Sequence, residues 1–335
     1  MQTSQLVSVT SGHKWLSSPV TSYRGTLDQM EKHIPAFERR TFGPELLPSE
    51  QFGEDDLFLK PLPPGFNRNY DVIVRKPLTE NEVEIPVGIV SKQYSLIQHY
   101  SLLDEAIKAV KIAQIKPEEI KAALDITEYG ERMRLRLQFP DSLGFEVKVG
   151  DRMSFTLECY NSIDGSLKFM AVVGWLRLLC SNGMVSYESD SNYRRRHNQY
   201  LQMNDIATVL QEGIADSTKE QAIYRKWMRT KISEDKLKKW VNKQLADSWG
   251  KKAAARAWHI TLKGHDVQFI DPFQKGDPTD KDVVPIATVP GAVIPGDNVY
   301  AVSQSLSWIA KERRDVQEQL EWKQQIPELL DKLSK

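Results

Sequence analysis

Residues 131–139 read Glu-Arg-Met-Arg-Leu-Arg-Leu-Gln-Phe, and polar and apolar side chains alternate along them long enough to define a half-buried β-strand. Side chains on a strand point to opposite faces with a period of two. Met133, Leu135, Leu137 and Phe139 therefore share one face, and Arg132, Arg134, Arg136 and Gln138 share the other. Same-face neighbours stand about 7 Å apart, close to the phosphate spacing of a nucleic-acid strand. Three guanidiniums in a row repel one another unless anions lie opposite. Two readings are open: a surface that tracks a nucleic-acid backbone, or a sheet face whose arginines pair with acids on a neighbouring strand, such as Glu158.

Working outward, Arg152–Tyr160 and Leu167–Val173 are two further strands. The turn Ser162–Ser166 between them contains Asp164-Gly165, a strong hairpin signal. Upstream, Tyr70–Arg75, Glu84–Val90 and Lys92–Ile97 read as strands. Ser101–Ile112 reads as an amphipathic helix, with Leu102, Leu103, Ala106, Ile107, Val110 and Ala113 on one face. After residue 200 the period changes to helical, over Leu201–Ala215 and Lys219–Trp249. A Gly/Pro/Asp-rich loop is expected over 271–297, and residues 301–335 read as a helix broken or bent near Pro327. Pro19, Pro35, Pro44, Pro48, Pro61, Pro63 and Pro64 interrupt the first 70 residues. That stretch still holds Trp15, Tyr23, Phe37, Phe42, Phe52 and Phe58, too many aromatics for a disordered tail.

The expected fold class is α+β: an antiparallel β-rich core with an embedded helix, then a helical basic part, preceded by an irregular N-terminal arm. The expected divisions are 1–69 for the aromatic, proline-rich arm, 70–190 for the β-rich core and 191–335 for the basic helical part with its C-terminal helix.

Lys+Arg and Asp+Glu each number 45 in 335 residues, so the chain is no general polycation. The charge is uneven, however. Residues 191–265 carry 16 Lys/Arg against 7 Asp/Glu, as a dedicated anion-binding part would. Cys159 and Cys180 stand in apolar surroundings and make no disulfide framework. The start Met-Gln-Thr-Ser-Gln lacks a secretory pattern. No stretch approaches the roughly 20 apolar residues of a membrane span. A cytoplasmic protein without membrane contact is expected.

Motifs for catalysis are missing. There is no P-loop, no Gly-x-Gly-x-x-Gly after a strand and no Gly-x-Ser-x-Gly elbow. No two of His13, His33, His99, His197, His259 and His265 have the i, i+4 spacing of paired metal ligands. The expectation is a non-enzyme with no catalytic residue, no metal and no cofactor.

Two basic segments add to the strand. Tyr193-Arg194-Arg195-Arg196-His197-Asn198-Gln199-Tyr200 combines phosphate attraction with aromatic platforms, or is an exposed linker. The helix after residue 219 carries Arg225, Lys226, Arg229, Lys231, Lys236, Lys238, Lys239 and Lys243, followed by Lys251, Lys252 and Arg256. Its Trp227, Trp240 and Trp249 read as anchors onto a core.

Three blocks carry a family resemblance. Val87-Gly-Ile-Val-Ser-Lys-Gln-Tyr-Ser-Leu-Ile-Gln98, Leu179-Cys-Ser-Asn-Gly-Met184 and Asn298-Val-Tyr-Ala-Val-Ser-Gln-Ser-Leu-Ser-Trp308 are similar to blocks of the phage/plasmid-like proteins grouped as domain of unknown function nine-three-two. The resemblance spans roughly residues 70–315, implies a mobile-element setting and marks no catalytic residue. A helix followed by successive strands also resembles, at fold level, the core of phage single-strand annealing proteins, which implies rings or filaments on DNA. Fold analogy alone does not establish function.

The expected function is therefore a phage- or plasmid-encoded single-stranded DNA-binding protein, acting in annealing or recombination as a homo-oligomeric ring or filament. Arg132, Arg134, Arg136, Arg194, Arg195, Arg196, Lys226 and Arg229 would meet phosphates, and Tyr193 and Tyr200 would stack on bases. The alternative is a counter-defence protein that binds and inhibits a host protein complex.

Overall fold

The computed structural model describes residues 5–15, 18–44, 65–177, 183–185, 192–197 and 205–334. They are mixed α+β, with antiparallel sheets and with helices concentrated in the C-terminal part. The chain divides into two compact units. The first comprises Met1–Pro140, Thr156–Val173 and Asp190–Gly213; the second comprises Asp141–Phe155, Gly174–Ser189 and Ile214–Lys335.

The first unit is built around the arginine-bearing strand. The sheet runs β1 (Gln5–Trp15), β2 (Ser18–Gly25), β6 (Lys121–Thr127), β7 (Arg132–Gln138), β9 (Asp151–Ser162), β10 (Phe169–Arg177), with β12 (Asn192–Arg195) also on β10. Its register follows the alternation. Leu135 stands opposite Leu124 and Cys159, Leu137 opposite Ala122 and Leu157, and Met133 opposite Ile126 and Asn161. Met133, Leu135 and Leu137 are fully buried. Each such side chain removed from water contributes about 1.5–3 kcal/mol.

Helix α1 (His99–Ile112) buries Leu102, Leu103, Ala106, Ala109 and Val110. Asn161, on the apolar face of β9, donates to the Ile97 carbonyl (2.8 Å) and to His99 Nδ1 (2.9 Å). Between β9 and β10, Gly165 takes the φ of +76° that the turn needs, and Asp164 accepts from the Ser166 amide at 3.0 Å.

A second, three-stranded sheet joins β3 (Phe37–Thr41), β4 (Tyr70–Arg75) and β5 (Ile85–Ser91). Phe37, Ile73 and Val90 pack there with Ile163. Residues 18–41, within the stretch expected to be an irregular arm, thus supply β2 and β3, and bury Leu27 and Met30. Residues 92–97 are not the strand their pattern suggests. Their hydrogen bonds go elsewhere: the Tyr94 hydroxyl donates to the Ser162 carbonyl (2.8 Å) and the Ser95 amide to the His197 carbonyl (3.2 Å).

In the second unit, β8 (Phe145–Lys148) pairs with the start of β9, and the end of β10 pairs with β11 (Gly183–Val185). Phe145, Phe155, Trp175 and Tyr224 form an aromatic core. The expected helix interruption between 215 and 219 does not occur, and α2 runs unbroken over Asp205–Arg229. The Ser217 hydroxyl satisfies itself on the Ile214 carbonyl (2.7 Å). The break comes at 230–233, where Ser233 caps α3 (Glu234–Trp240) through the Lys236 amide.

One π turn, Val241–Leu245, joins α3 to α4 (Ala246–Trp249). Gly250, at φ +83°, turns the chain into α5 (Lys251–Lys263). Trp227, Trp240 and Trp249 are all buried, as anchors should be. The segment expected as loop contains β14 (Val283–Thr288), paired with β13 (His265–Phe269).

Helix α6 (Val299–Lys311) is buried almost throughout. Helix α7 (Val316–Ser334) continues through Pro327, so the break expected there lies instead at residues 312–315. Arg177 and Asp151 form a buried bidentate pair (2.5 and 2.7 Å) that Tyr300 joins at 3.2 Å.

Candidate nucleic-acid interface

The three arginines on the polar face of β7 are all engaged in ion pairs. Arg132 donates to Ser166 Oγ (2.6 Å) and pairs with Asp164 (3.2 Å). Arg134 grips Asp125 on β6 with Nε (2.7 Å) and a terminal nitrogen, and Asp125 also accepts from the Ser22 hydroxyl (2.6 Å). Arg136 pairs with Glu158, directly opposite on β9, and the Tyr160 hydroxyl donates to the same carboxylate.

The three arginine side chains are only 14, 17 and 22 % exposed. Burial pushes the Asp125 carboxyl up, but the charge of Arg134 and the Ser22 hydrogen bond outweigh it, and its pKa lies below the usual carboxylate range. Burial likewise works against the Arg134 charge, and Asp125 more than compensates. A phosphate could reach these guanidiniums only by displacing carboxylates from pairs largely withdrawn from water.

The second candidate segment is mixed. Tyr193 is 8 % exposed, with Phe169 edge-on at 6.0 Å and the Arg195 guanidinium 4.7 Å from its ring. It offers no open platform for a base, a correction to the accessible ring expected from sequence. Arg194 is half-buried, whereas Arg195 and Arg196 are exposed. Tyr200 lies outside the described residues.

His197 is buried, stacked on Tyr94 at 5.0 Å, and burial lowers its pKa to about 4. Burial also holds His99 at about 4, and His99 Nε2 donates to the Gly130 carbonyl at 2.8 Å. Both rings are neutral near pH 7.

The basic helices differ. Arg225, Lys226 and Arg229 at the end of α2 are exposed, and so are Lys236, Lys239, Lys243, Lys251 and Lys252. Among the described residues none of these eight has a carboxylate within ion-pair distance; Arg225 rests over the Phe145 ring at 5.8 Å. Their neighbours Lys231, Lys238 and Arg256 are taken by Asp297, Asp280 and Asp266. Lys236, Lys239 and Lys243 recur at helical spacing opposite the buried stripe of Leu237, Trp240, Val241 and Leu245. Lys226 and Arg229, singled out from the sequence, are among these exposed cations. Lys236, Lys239 and Lys243, also named from the sequence in the basic helix, share that exposed state.

Residues 86–283, more than half of the chain, match the family model for the domain of unknown function DUF932. The chain belongs to the DUF932 family. Two of the three resembling blocks, 87–98 and 179–184, fall inside the matched residues, and 298–308 falls outside them. No curated protein and no solved structure matches the chain. The DUF932 block at 87–98 forms the end of β5 and the approach to α1, where Tyr94 packs on His197. Among the described residues, no three His, Cys, Asp or Glu side chains gather as a metal ion requires, and no helix is long and apolar enough to cross a membrane.

Proposed function

We propose that this DUF932 protein binds single-stranded nucleic acid, DNA foremost, through the cations of α2 and α3, with no catalytic step and no cofactor. One observation carries the reading: eight exposed cations without carboxylate partners among the described residues, Lys236, Lys239 and Lys243 forming one stripe. Side chains three and four apart on a helix stand about 5–6 Å from one another, a spacing that successive phosphates can meet. In its fuller form the protein is phage- or plasmid-borne, assembles as a ring or filament, and anneals strands, with base pairing as the driving force.

The test is binding of a labelled single-stranded oligonucleotide across a salt series. Every phosphate neutralised by a cation of the protein should steepen the log–log slope by about 0.7. Three to five neutralised phosphates therefore give a slope of about −2 to −3.5. No binding at low salt would refute the reading.

A second reading, inhibition of a host protein complex as counter-defence, draws on a different observation. Phe273 and Ile270 are 92 and 63 % exposed, and an apolar surface kept in water suits a protein partner. On that reading the oligonucleotide does not bind.

A further inference from the structure

Two cations of the first unit face each other with no acid between them. In the β10–β12 pair, Arg195 stands opposite Phe169 and Arg194 opposite Met170. One residue further, the same register sets Arg196 across from Lys168. Side chains directly opposite in an antiparallel pair have Cβ atoms about 4.5–5.5 Å apart, and like charges there are destabilising. Arg196 is exposed and Lys168 half-buried, and among the described residues neither has a carboxylate within ion-pair distance. Asp164, in the turn before Lys168, is held by Arg132 at 3.2 Å.

The arginines stand on a fixed backbone. On one side Tyr193, 8 % exposed, packs against Phe169; on the other His197, 7 % exposed, stacks on Tyr94, and the Ser95 amide donates to the His197 carbonyl (3.2 Å). Between these anchors Arg195 and Arg196 are held out in water. The Arg195 guanidinium is steadied over the Tyr193 ring (4.7 Å) and donates to the Arg194 carbonyl (3.1 Å). Cations ordered in advance lose less freedom when an anion binds.

Their place in the sheet favours a chain of phosphates over a single anion. Among the described residues, β12 pairs with β10 on one side and with no strand on the other. Arg195 and Arg196 are successive residues and leave that free edge on opposite sides. A strand lying along the edge meets both. One phosphate accepts from Arg196 and Lys168 together, which relieves their repulsion, and a neighbouring phosphate accepts from Arg195.

We propose that Lys168, Arg195 and Arg196 form a second phosphate-binding site for single-stranded nucleic acid, on the first unit. The choice of partner rests on the function proposed above. The site itself shares no residue with the helix cations, which lie in the second unit, from Ile214 onward. A chain with two separate sites holds two strands at once, as strand pairing requires. With about two phosphates neutralised, the second site has a log–log salt slope of about −1.4, and its affinity falls about 15-fold between about 20 and 150 mM salt. It is the weaker of the two.

Calorimetric titration of the full chain tests this, with an oligothymidylate of about six nucleotides, short enough to occupy one site. At about 20 mM salt, where both sites fill, two molecules should bind per chain. Arg195→Gln/Arg196→Gln should remove the weaker one and leave the tighter unchanged. Arg225→Gln/Lys226→Gln/Arg229→Gln should weaken the tighter one and spare the other. Lys168→Glu gives Arg196 a carboxylate, so the thermal midpoint should hold or rise while the second oligonucleotide is lost. One oligonucleotide per wild-type chain, sensitive to the helix variant alone, would overturn this site and leave the helix reading standing. A second oligonucleotide retained in both Arg195→Gln/Arg196→Gln and Lys168→Glu would overturn it too, the cations then serving only to keep other strands off the edge. Binding lost through Arg195→Gln/Arg196→Gln and untouched by the helix variant would uphold the site and remove the helix reading.

Discussion

Arg132, Arg134 and Arg136 on β7 and Arg225, Lys226 and Arg229 on α2 are equally conspicuous in the sequence, and they are in opposite states. The strand places each arginine across from an acid: Asp125 and Glu158 on the flanking strands, Asp164 in the turn. The helix end has no such neighbours, and its cations remain exposed, without carboxylates among the described residues. What separates the two is geometry. A sheet has a fixed partner position on either side of every residue, whereas an exposed helix face has none. The density of positive charge says where cations are, and the facing register says whether they are available.

The contrast breaks most readily at Arg134. Arg134→Gln leaves the buried Asp125 charge beside a neutral amide and should cost about 2–4 kcal/mol in a urea titration. Adding Asp125→Asn should recover most of that loss, while oligonucleotide affinity stays at wild type. Unchanged stability with abolished binding would return the strand to the interface.

Acid should expose the other buried groups of the first unit. The folded pKa values of His99 and His197 lie near 4, below the usual histidine value of 6.5. Their contribution is therefore complete above about pH 6.5 and is lost as pH falls from there toward 4. By pH 5 the loss should reach about 2 kcal/mol per histidine, measurable as a lower urea midpoint. His197→Phe should flatten its part of that dependence, and an equal slope in the variant would place the titration elsewhere.

On the helix side the effects are on binding. Arg225→Gln/Lys226→Gln/Arg229→Gln should weaken oligonucleotide binding about 10- to 100-fold at moderate salt and make the salt slope shallower by about 2. The thermal midpoint should hardly move. Lys236→Gln alone is the smallest change: a few-fold in affinity and under about 0.5 kcal/mol in stability. A larger drop in stability would mean that Lys236 is engaged after all.

Local signals were legible and long-range ones were not. The alternation of 131–139, the Asp164-Gly165 turn and the face of α1 are read from neighbours in sequence, and each stands as expected. Glu158 could be named as a partner of the ladder, but its match with Arg136 depends on the β7–β9 register, which no local pattern in the sequence reveals. Tyr193 reads as a stacking platform because its neighbours are arginines; it is buried because β12 lies beside β10. The β14 strand is hidden by Pro285 and the Gly- and Asp-rich residues around it. Phe273 gives no periodic signal, and only the structure reveals its exposure.

The way β9 and β10 cross from one unit into the other also governs the order of assembly at the ribosome. The first unit takes strands from 156–173 and 190–213, so β7 emerges with its β9 edge open and cannot be closed until the β8–β9 excursion has been made. Its last pieces arrive only as α2 begins. The two units are therefore not successive beads that fold in turn. Splitting the gene at any one position would divide at least one of the two units.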